Sequence, residues 1–158
     1  MSQTMNPTDY TETLSFDQAP TEVFNAINNV RGWWNDTAKG TFQKLDDEFE
    51  TRFGDVHYSK QKLIEVVPDK KVVWLVTDSH LNFLGDKTEW TGTRVCFEIS
   101  RKENKTYLQF THVGLRPKIE CYDACSTAWG QYLRYSLFYL VTTGKGQPGF
   151  PPDGPSGK

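Results

Sequence analysis

The chain is short of sulfur, of net charge and of any long apolar run. Its 158 residues carry 18 Lys and Arg against 20 Asp and Glu, mixed along the sequence with no basic block and no acidic tail. Charge alone therefore attracts neither nucleic acid nor an anionic membrane surface. No apolar stretch approaches the roughly 20 residues that cross a bilayer, and the first residues, MSQTMNPTDY, lack the basic and apolar regions of a signal peptide. These absences predict a soluble cytoplasmic protein without membrane insertion. The three cysteines, an odd number, fit a reducing compartment. Cys121 and Cys125 lie one helical turn apart and Cys96 falls in a predicted strand, so all three read as buried thiols behaving as small hydrophobes. A metal pair at C-x3-C would need further ligands, and His57, His80 and His112 are scattered without metal-site spacing. There is no nucleophile elbow, no phosphate-cradling glycine loop and no paired-carboxylate motif. No metal and no cofactor are expected.

What the chain does have is aromatic bulk: five Trp, seven Tyr and ten Phe. The stretch Cys121 to Thr142 organises the rest. At about 3.6 residues per turn, Cys121, Cys125, Trp129, Tyr132, Ser136, Tyr139 and Leu140 share one stripe, opposite Asp123, Thr127, Gln131 and Arg134. This reads as one long amphipathic helix whose buried stripe mixes large rings, thiols and hydroxyls. A stripe that only filled a core would carry Leu, Ile, Val and Ala, so the composition points to a helix closing over a cavity. Phe138 sits off the stripe, either exposed or covered by a neighbouring segment.

The remaining elements follow from periodicity. Residues 9 to 17 alternate as a strand, with Tyr10, Glu12, Leu14 and Phe16 on one face. Pro20 and Glu22 suit the start of a helix over 20 to 30, with Val23, Phe24, Ile27 and Val30 as its apolar face. Asn28-Asn29 ends or bends it. RGWWND then makes a second helical turn, and of its adjacent Trp33 and Trp34 only one can face inward if the segment is helical. Beyond Gly40 the period becomes alternating: strands over 48 to 53, 58 to 67, 71 to 78, 92 to 100 and 106 to 113. A Pro68-Asp69-Lys70 turn joins one pair and a polar loop at 101 to 105 joins another. Residues 1 to 8 and the Gly- and Pro-rich stretch 145 to 158 read as flexible, leaving one domain at 9 to 144. The order predicts an α+β fold, a curved antiparallel sheet of about six to seven strands wrapped around a long C-terminal helix, with two short helices after the first strand.

Several motifs carry a resemblance. They are Ala19-Pro20-x-x-Val23-Phe24-x-x-Ile27, the Trp33-Trp34 pair, and Leu63-x-Glu65-Val66-Val67-Pro68-x-Lys70-x-Val72-Val73-Trp74. Leu108-x-Phe110-x-His112-x-Gly114 and Trp129 with Leu133, Leu137 and Gly144 complete the set. In this order and spacing, over residues 9 to about 148, the chain resembles the SRPBCC or START-like helix-grip superfamily. More narrowly it is similar to the branch related to the C-terminal domain of the activators of the heat-shock-protein-90 ATPase. The superfamily contains lipid carriers, polyketide cyclases and aromatases, stress-related binding proteins and co-chaperones, so the resemblance speaks to fold before function.

Strand parity nominates the interior. Leu108, Phe110 and His112 share the more apolar face of the last strand, Val95, Phe97 and Ile99 that of the strand before it, and Phe49 and Phe53 face the same way. For Trp74 the pair Val72 and Val76 competes with Val73 and Leu75 on the other face; Trp74 is taken as inward. The candidate ligand site is then Trp34, Phe53, Trp74, Phe97, Phe110, His112, Trp129, Tyr132 and Leu133, an apolar pocket with one histidine. Plain core packing is the competing reading of the same rings. The stretch TDSHLNFLGDKTEW between two strands reads equally as a lid over a pocket mouth or as a solvated loop. Three functions are compatible: a binding protein for a hydrophobic or amphipathic small molecule such as a lipid or polyketide, a chaperone-accessory or protein-interaction module, or a cyclase- or hydrolase-type enzyme. The last rests on analogy with the cyclases, with His112 beside Tyr132 or Ser136. A monomer or weak dimer is expected.

Overall fold

The computed structural model of the chain describes residues 8–149. In β1 (Tyr10–Phe16) Thr11, Thr13 and Ser15 face solvent while Phe16 is buried. Pro20 opens α1 (Pro20–Ile27), where its missing N–H costs nothing, and the Glu22 carboxylate accepts from the Ala19 N–H at 3.3 Å. One further turn, α2 (Val30–Trp33), follows Asn28–Asn29. Trp33 and Trp34 are both buried, and the condition under which only one would face inward, a helix running through both, is not met. Trp34 is already past the end of the turn, at φ −110° and ψ −63°. The two rings leave in different directions, and protein covers both. Trp33 donates from Nε1 to the Ile27 carbonyl oxygen at 3.1 Å, while Trp34 lies 5.1 Å from the Trp129 ring.

Five longer or shorter strands complete the sheet after the two-residue β2 (Lys39–Gly40): β3 (Glu48–Phe53), β4 (His57–Val67), β5 (Lys71–Leu81), β6 (Arg94–Lys102) and β7 (Lys105–Val113). Their order is β1-β7-β6-β5-β4-β3-β2, with every neighbouring pair antiparallel. Val72, Trp74 and Val76 are all fully buried, so Trp74 does point inward. The competing Val73 is nearly buried as well, because it packs with Cys96 and Val113 in a small second cluster. The loop expected at 101 to 105 is instead a two-residue turn in which Glu103 and Asn104 take φ of 52° and 67°. Two positive φ values in succession match the right-handed twist of the flanking strands. Pairing between β4 and β5 slips at Lys60/Gln61 and at Leu63/Glu65, and such bulges bend a strand.

The curved sheet holds a helix of 22 residues. It consists of α3 (Tyr122–Tyr132), a π-helical turn over Leu133–Leu137 and α4 (Phe138–Thr143). The π turn changes which residues face inward. An uninterrupted α-helix would set Leu137 roughly 160° round from Cys121, but the wider turn absorbs one residue and brings Leu133, Ser136 and Leu137 to the core while Tyr139 and Leu140 are only half-buried. Phe138 is covered, stacked on Phe16 of β1 at 5.4 Å.

Residues 145–149, expected to be loose, run back onto the domain. Gln147 N–H donates to Ser136 Oγ at 2.7 Å, Gly149 N–H to the Trp34 carbonyl at 3.0 Å, and Tyr132 OH to the Gly149 carbonyl. Gly146 makes this approach possible, because a Cβ there would sit 2.4 Å from the Gly32 carbonyl oxygen. The rest of the two ends expected to be flexible, 1–7 and 150–158, lies outside the described residues.

Candidate functional site: a ring-walled pocket under the long helix

The interior is built from indoles. Trp34 stacks on Trp74 at 5.4 Å and on Trp129 at 5.1 Å, and Trp90 lies parallel to Trp129 at 6.0 Å. Trp33 joins the group at 6.4 to 6.5 Å from Trp34, Trp74 and Trp129. Beside this stack the packing opens into a cavity of about 150 Å³. Trp34, Phe53, Trp129 and Tyr132 wall it, with His57, Leu81, Trp90, Cys125, Ala124 and Ala128; Val56 and Phe83, 42% and 47% exposed, stand at its mouth.

Of the nine residues expected at the site, Trp34, Phe53, Trp129 and Tyr132 reach this pocket. Trp74, Phe97, Phe110, His112 and Leu133 are buried behind it and do not line it. His112 is the instructive case. Its Nδ1 accepts from Trp129 Nε1–H at 3.0 Å, and its Nε2 lies 2.9 Å from Thr93 Oγ1, whose own proton goes to the Trp90 carbonyl at 2.6 Å. Nε2 must therefore carry the ring proton and donate it, so both nitrogens are engaged. The ring is wholly buried, and its pKa is pushed down to about 3, chiefly by loss of solvation and further by His57, against the opposing charge of Asp9. The expected partners lie elsewhere: Ser136 Oγ donates to the Trp33 carbonyl at 2.7 Å and Tyr132 OH to that of Gly149. His112 is a structural strut that orients Trp129, and it has no free nitrogen for proton transfer.

Two residues that matter were missed. Counting back by twos from the buried Leu63 reaches Gln61, Ser59 and His57, so the parity rule contained His57 once the strand is allowed to begin there. Trp90 lies in the connection after β5, where no period operates. That connection is neither a free lid nor solvated throughout: Leu84 and Trp90 are buried, and Trp90 donates from Nε1 to Cys121 Sγ at 3.3 Å. Glu89 accepts from the Glu120 and Cys121 N–H groups at 3.1 and 3.2 Å, placing a carboxylate on the positive end of α3. His57 sits edge-on to Phe53, at 5.0 Å, and to Trp90, at 4.8 Å. Burial among these rings lowers its pKa to about 3, so it is neutral at pH 7. The same surroundings push the Tyr132 hydroxyl well above its ordinary range, with a smaller contribution from Asp36.

Cysteine chemistry also departs from expectation. Cys121 and Cys125 are not separate thiols but a disulfide across one turn of α3, with Cα atoms 5.6 Å apart, inside the span such a bridge needs. Cys96 is a free, buried thiol whose pKa burial raises to about 11. No group of three or more His, Cys, Asp and Glu converges on a possible metal position among the described residues. No helix among them is long and apolar enough to cross a membrane.

A curved seven-stranded sheet closed around one long helix defines the helix-grip class of fold. Solved structures agree. The Aha1 dimer from Colwellia psychrerythraea is similar to this chain with a TM-score of 0.71 at 22% identity, over 87% of this chain and 98% of that one. DynU16, from the dynemicin biosynthetic locus, gives 0.64 at 14% identity over 89% of this chain, which spans 49% of DynU16. CalU16 from Micromonospora echinospora gives 0.61 at 12% identity, over 84% of this chain and 74% of that one. No family model and no curated protein sequence matches the chain. At these identities the likeness is one of fold.

Proposed function

We propose that this protein binds a small apolar or amphipathic molecule in the pocket between α3 and the β3–β5 side of the sheet. The observation that carries the reading is the pocket itself, an opening walled by aromatic and aliphatic side chains beside an otherwise densely stacked interior. Its volume narrows the class of ligand. An apolar cavity of roughly 150 Å³ accommodates one benzene ring, so a lipid chain or polycyclic polyketide could place only one end inside, the remainder passing out between Val56, Phe83 and α3. Trp34, Trp90 and Trp129 form its walls, so tryptophan emission should change saturably on titration with benzene or toluene. Ala128→Phe, which fills the pocket from the helix side, should abolish the response while leaving the unfolding transition in place. A titration with no saturable change would sink the reading.

A protein-interaction role draws separate support from the two exposed apolar side chains at the mouth, Val56 and Phe83, and from the likeness to an Aha1 structure described as a dimer. Sedimentation of the wild type and of Phe83→Ser tests it: a dimer lost in the variant supports that role, and a monomer at all concentrations counts against self-association. Neither His112 nor its neighbours support an enzymatic role, since the ring has no unengaged nitrogen.

A further inference from the structure

Polar groups near the pocket are few, and their protons can be counted. Ser59 Oγ lies 2.8 Å from His57 Nε2, 2.9 Å from Thr51 Oγ1 and 2.6 Å from Gln61 Nε2, and Thr51 Oγ1 also reaches the Ser59 carbonyl oxygen at 3.4 Å. Thr51, Ser59 and Gln61 are fully buried, and Gln61 Oε1 is sealed without a partner. The Gln61 amide nitrogen can only donate. One arrangement makes all four contacts: Thr51 gives its proton to the Ser59 carbonyl, Ser59 gives its proton to Thr51, and the two lone pairs of Ser59 accept from Gln61 and from His57 Nε2–H. Any other leaves one contact without a proton. A neutral His57 protonated on Nε2 carries a lone pair on Nδ1. Among the described residues Nδ1 has no hydrogen-bonding partner, and it is not among the sealed, unpartnered polar atoms. His57 is half-buried and lines this pocket as well as a second hollow bordered by Arg52, Asp55, Tyr58 and His80.

The ring-walled pocket has no Lys, Arg, Asp or Glu side chain in its lining. A charged ligand group would be stripped of water there with nothing of opposite sign to meet it, a cost far larger than the stacking available. The walls present indole faces and ring edges, which complement another flat ring. Resting on the small-molecule reading above, we propose that the ligand is a neutral single-ring aromatic compound bearing a hydroxyl or N–H group, the ring held between Trp34, Phe53, Trp90 and Trp129 and its proton donated to His57 Nδ1.

Calorimetric titration of the full chain with phenol, anisole and benzoate tests this. The first two share a ring and an oxygen substituent, anisole being larger by one methyl group, but only phenol donates; benzoate carries the charge. Phenol should bind about three- to tenfold tighter than anisole, the range of one neutral hydrogen bond, and benzoate should not bind measurably. His57→Phe, which keeps a ring and removes the acceptor, should equalise phenol and anisole. Equal affinities in the wild type, or tight binding of benzoate, would overturn the proposal while leaving the pocket reading intact. If neither phenol nor anisole binds, both fall. The wild-type comparison decides the matter even where the variant does not fold.

Discussion

At the scale of single residues, the buried His112 and the half-buried His57 turn packing into a pH dependence. His112 has a pKa of about 3 in the folded protein against 6.5 for an unperturbed side chain. Between those values the unfolded chain takes up a proton that the folded chain refuses, so stability is complete above about pH 6.5 and declines as pH falls. From pH 7 to pH 5 the loss from His112 should be about 2 kcal/mol, taking 1.36 kcal/mol per pKa unit. His57 adds less, because the pocket mouth admits water to its ring. Urea unfolding at the two pH values measures this in a window where carboxylates hardly titrate; a flat profile would mean that the His112 ring is protonated in place. The same residue shows what a sequence can and cannot disclose. Alternation in LQFTHV put His112 inward, and that is where it lies. Its two hydrogen-bond partners, Thr93 and Trp129, come from a loop and a helix whose positions relative to the strand no local period encodes.

At the scale of elements, the N-terminus of α3 and its C-terminal continuation are each fastened by one unusual contact. Glu89 supplies the acceptor for two N–H groups at the start of the helix, joining the β5–β6 connection to it. Glu89→Ala should cost about 1 kcal/mol and lower the thermal midpoint by about 2 to 4 °C for a domain of this size; an unchanged midpoint would show that water caps the helix equally well. At the other end, Gly146 lets residues 145–149 lie against Gly32 and Ser136. Gly146→Ala should destabilise by about 1 to 3 kcal/mol as the added methyl forces the segment away, measured by denaturant unfolding. If Gly146→Ala is neutral, that segment contributes nothing to the domain. Periodicity disclosed these elements well where one rule held throughout, as in the strands from Glu48 to Val113. It failed at the π turn, because helical spacing assumes a constant advance per residue, and the extra residue at 133–137 exchanged Tyr139 for Leu137 on the inner face. It did not reach Trp34, where a four-residue helix ends before the second ring has to choose a side.

At the scale of the whole molecule, all five tryptophans belong to one connected stack, and the pocket is the place where that stack stops being filled. The architecture was legible because the order of elements admits few layered arrangements: a sheet with an apolar concave face requires the one long helix to cover it. The pocket was only half legible. Trp129 and Tyr132 followed from the helix stripe, and Phe53 from strand parity. Rings at the back of the stack, Trp74 and Phe97 among them, have the same sequence pattern as rings at the front. Distinguishing them needs the tilt of the helix across the sheet, a global quantity. The indole N–H signals in a proton–nitrogen correlation spectrum provide the most direct test, because each of the five reports one wall of the interior. On titration with phenol, the signals of Trp34, Trp90 and Trp129 should shift together and saturate, while that of Trp33, behind the pocket, moves least. An unchanged set of five signals at millimolar phenol, or shifts confined to residues away from these three, would contradict the account.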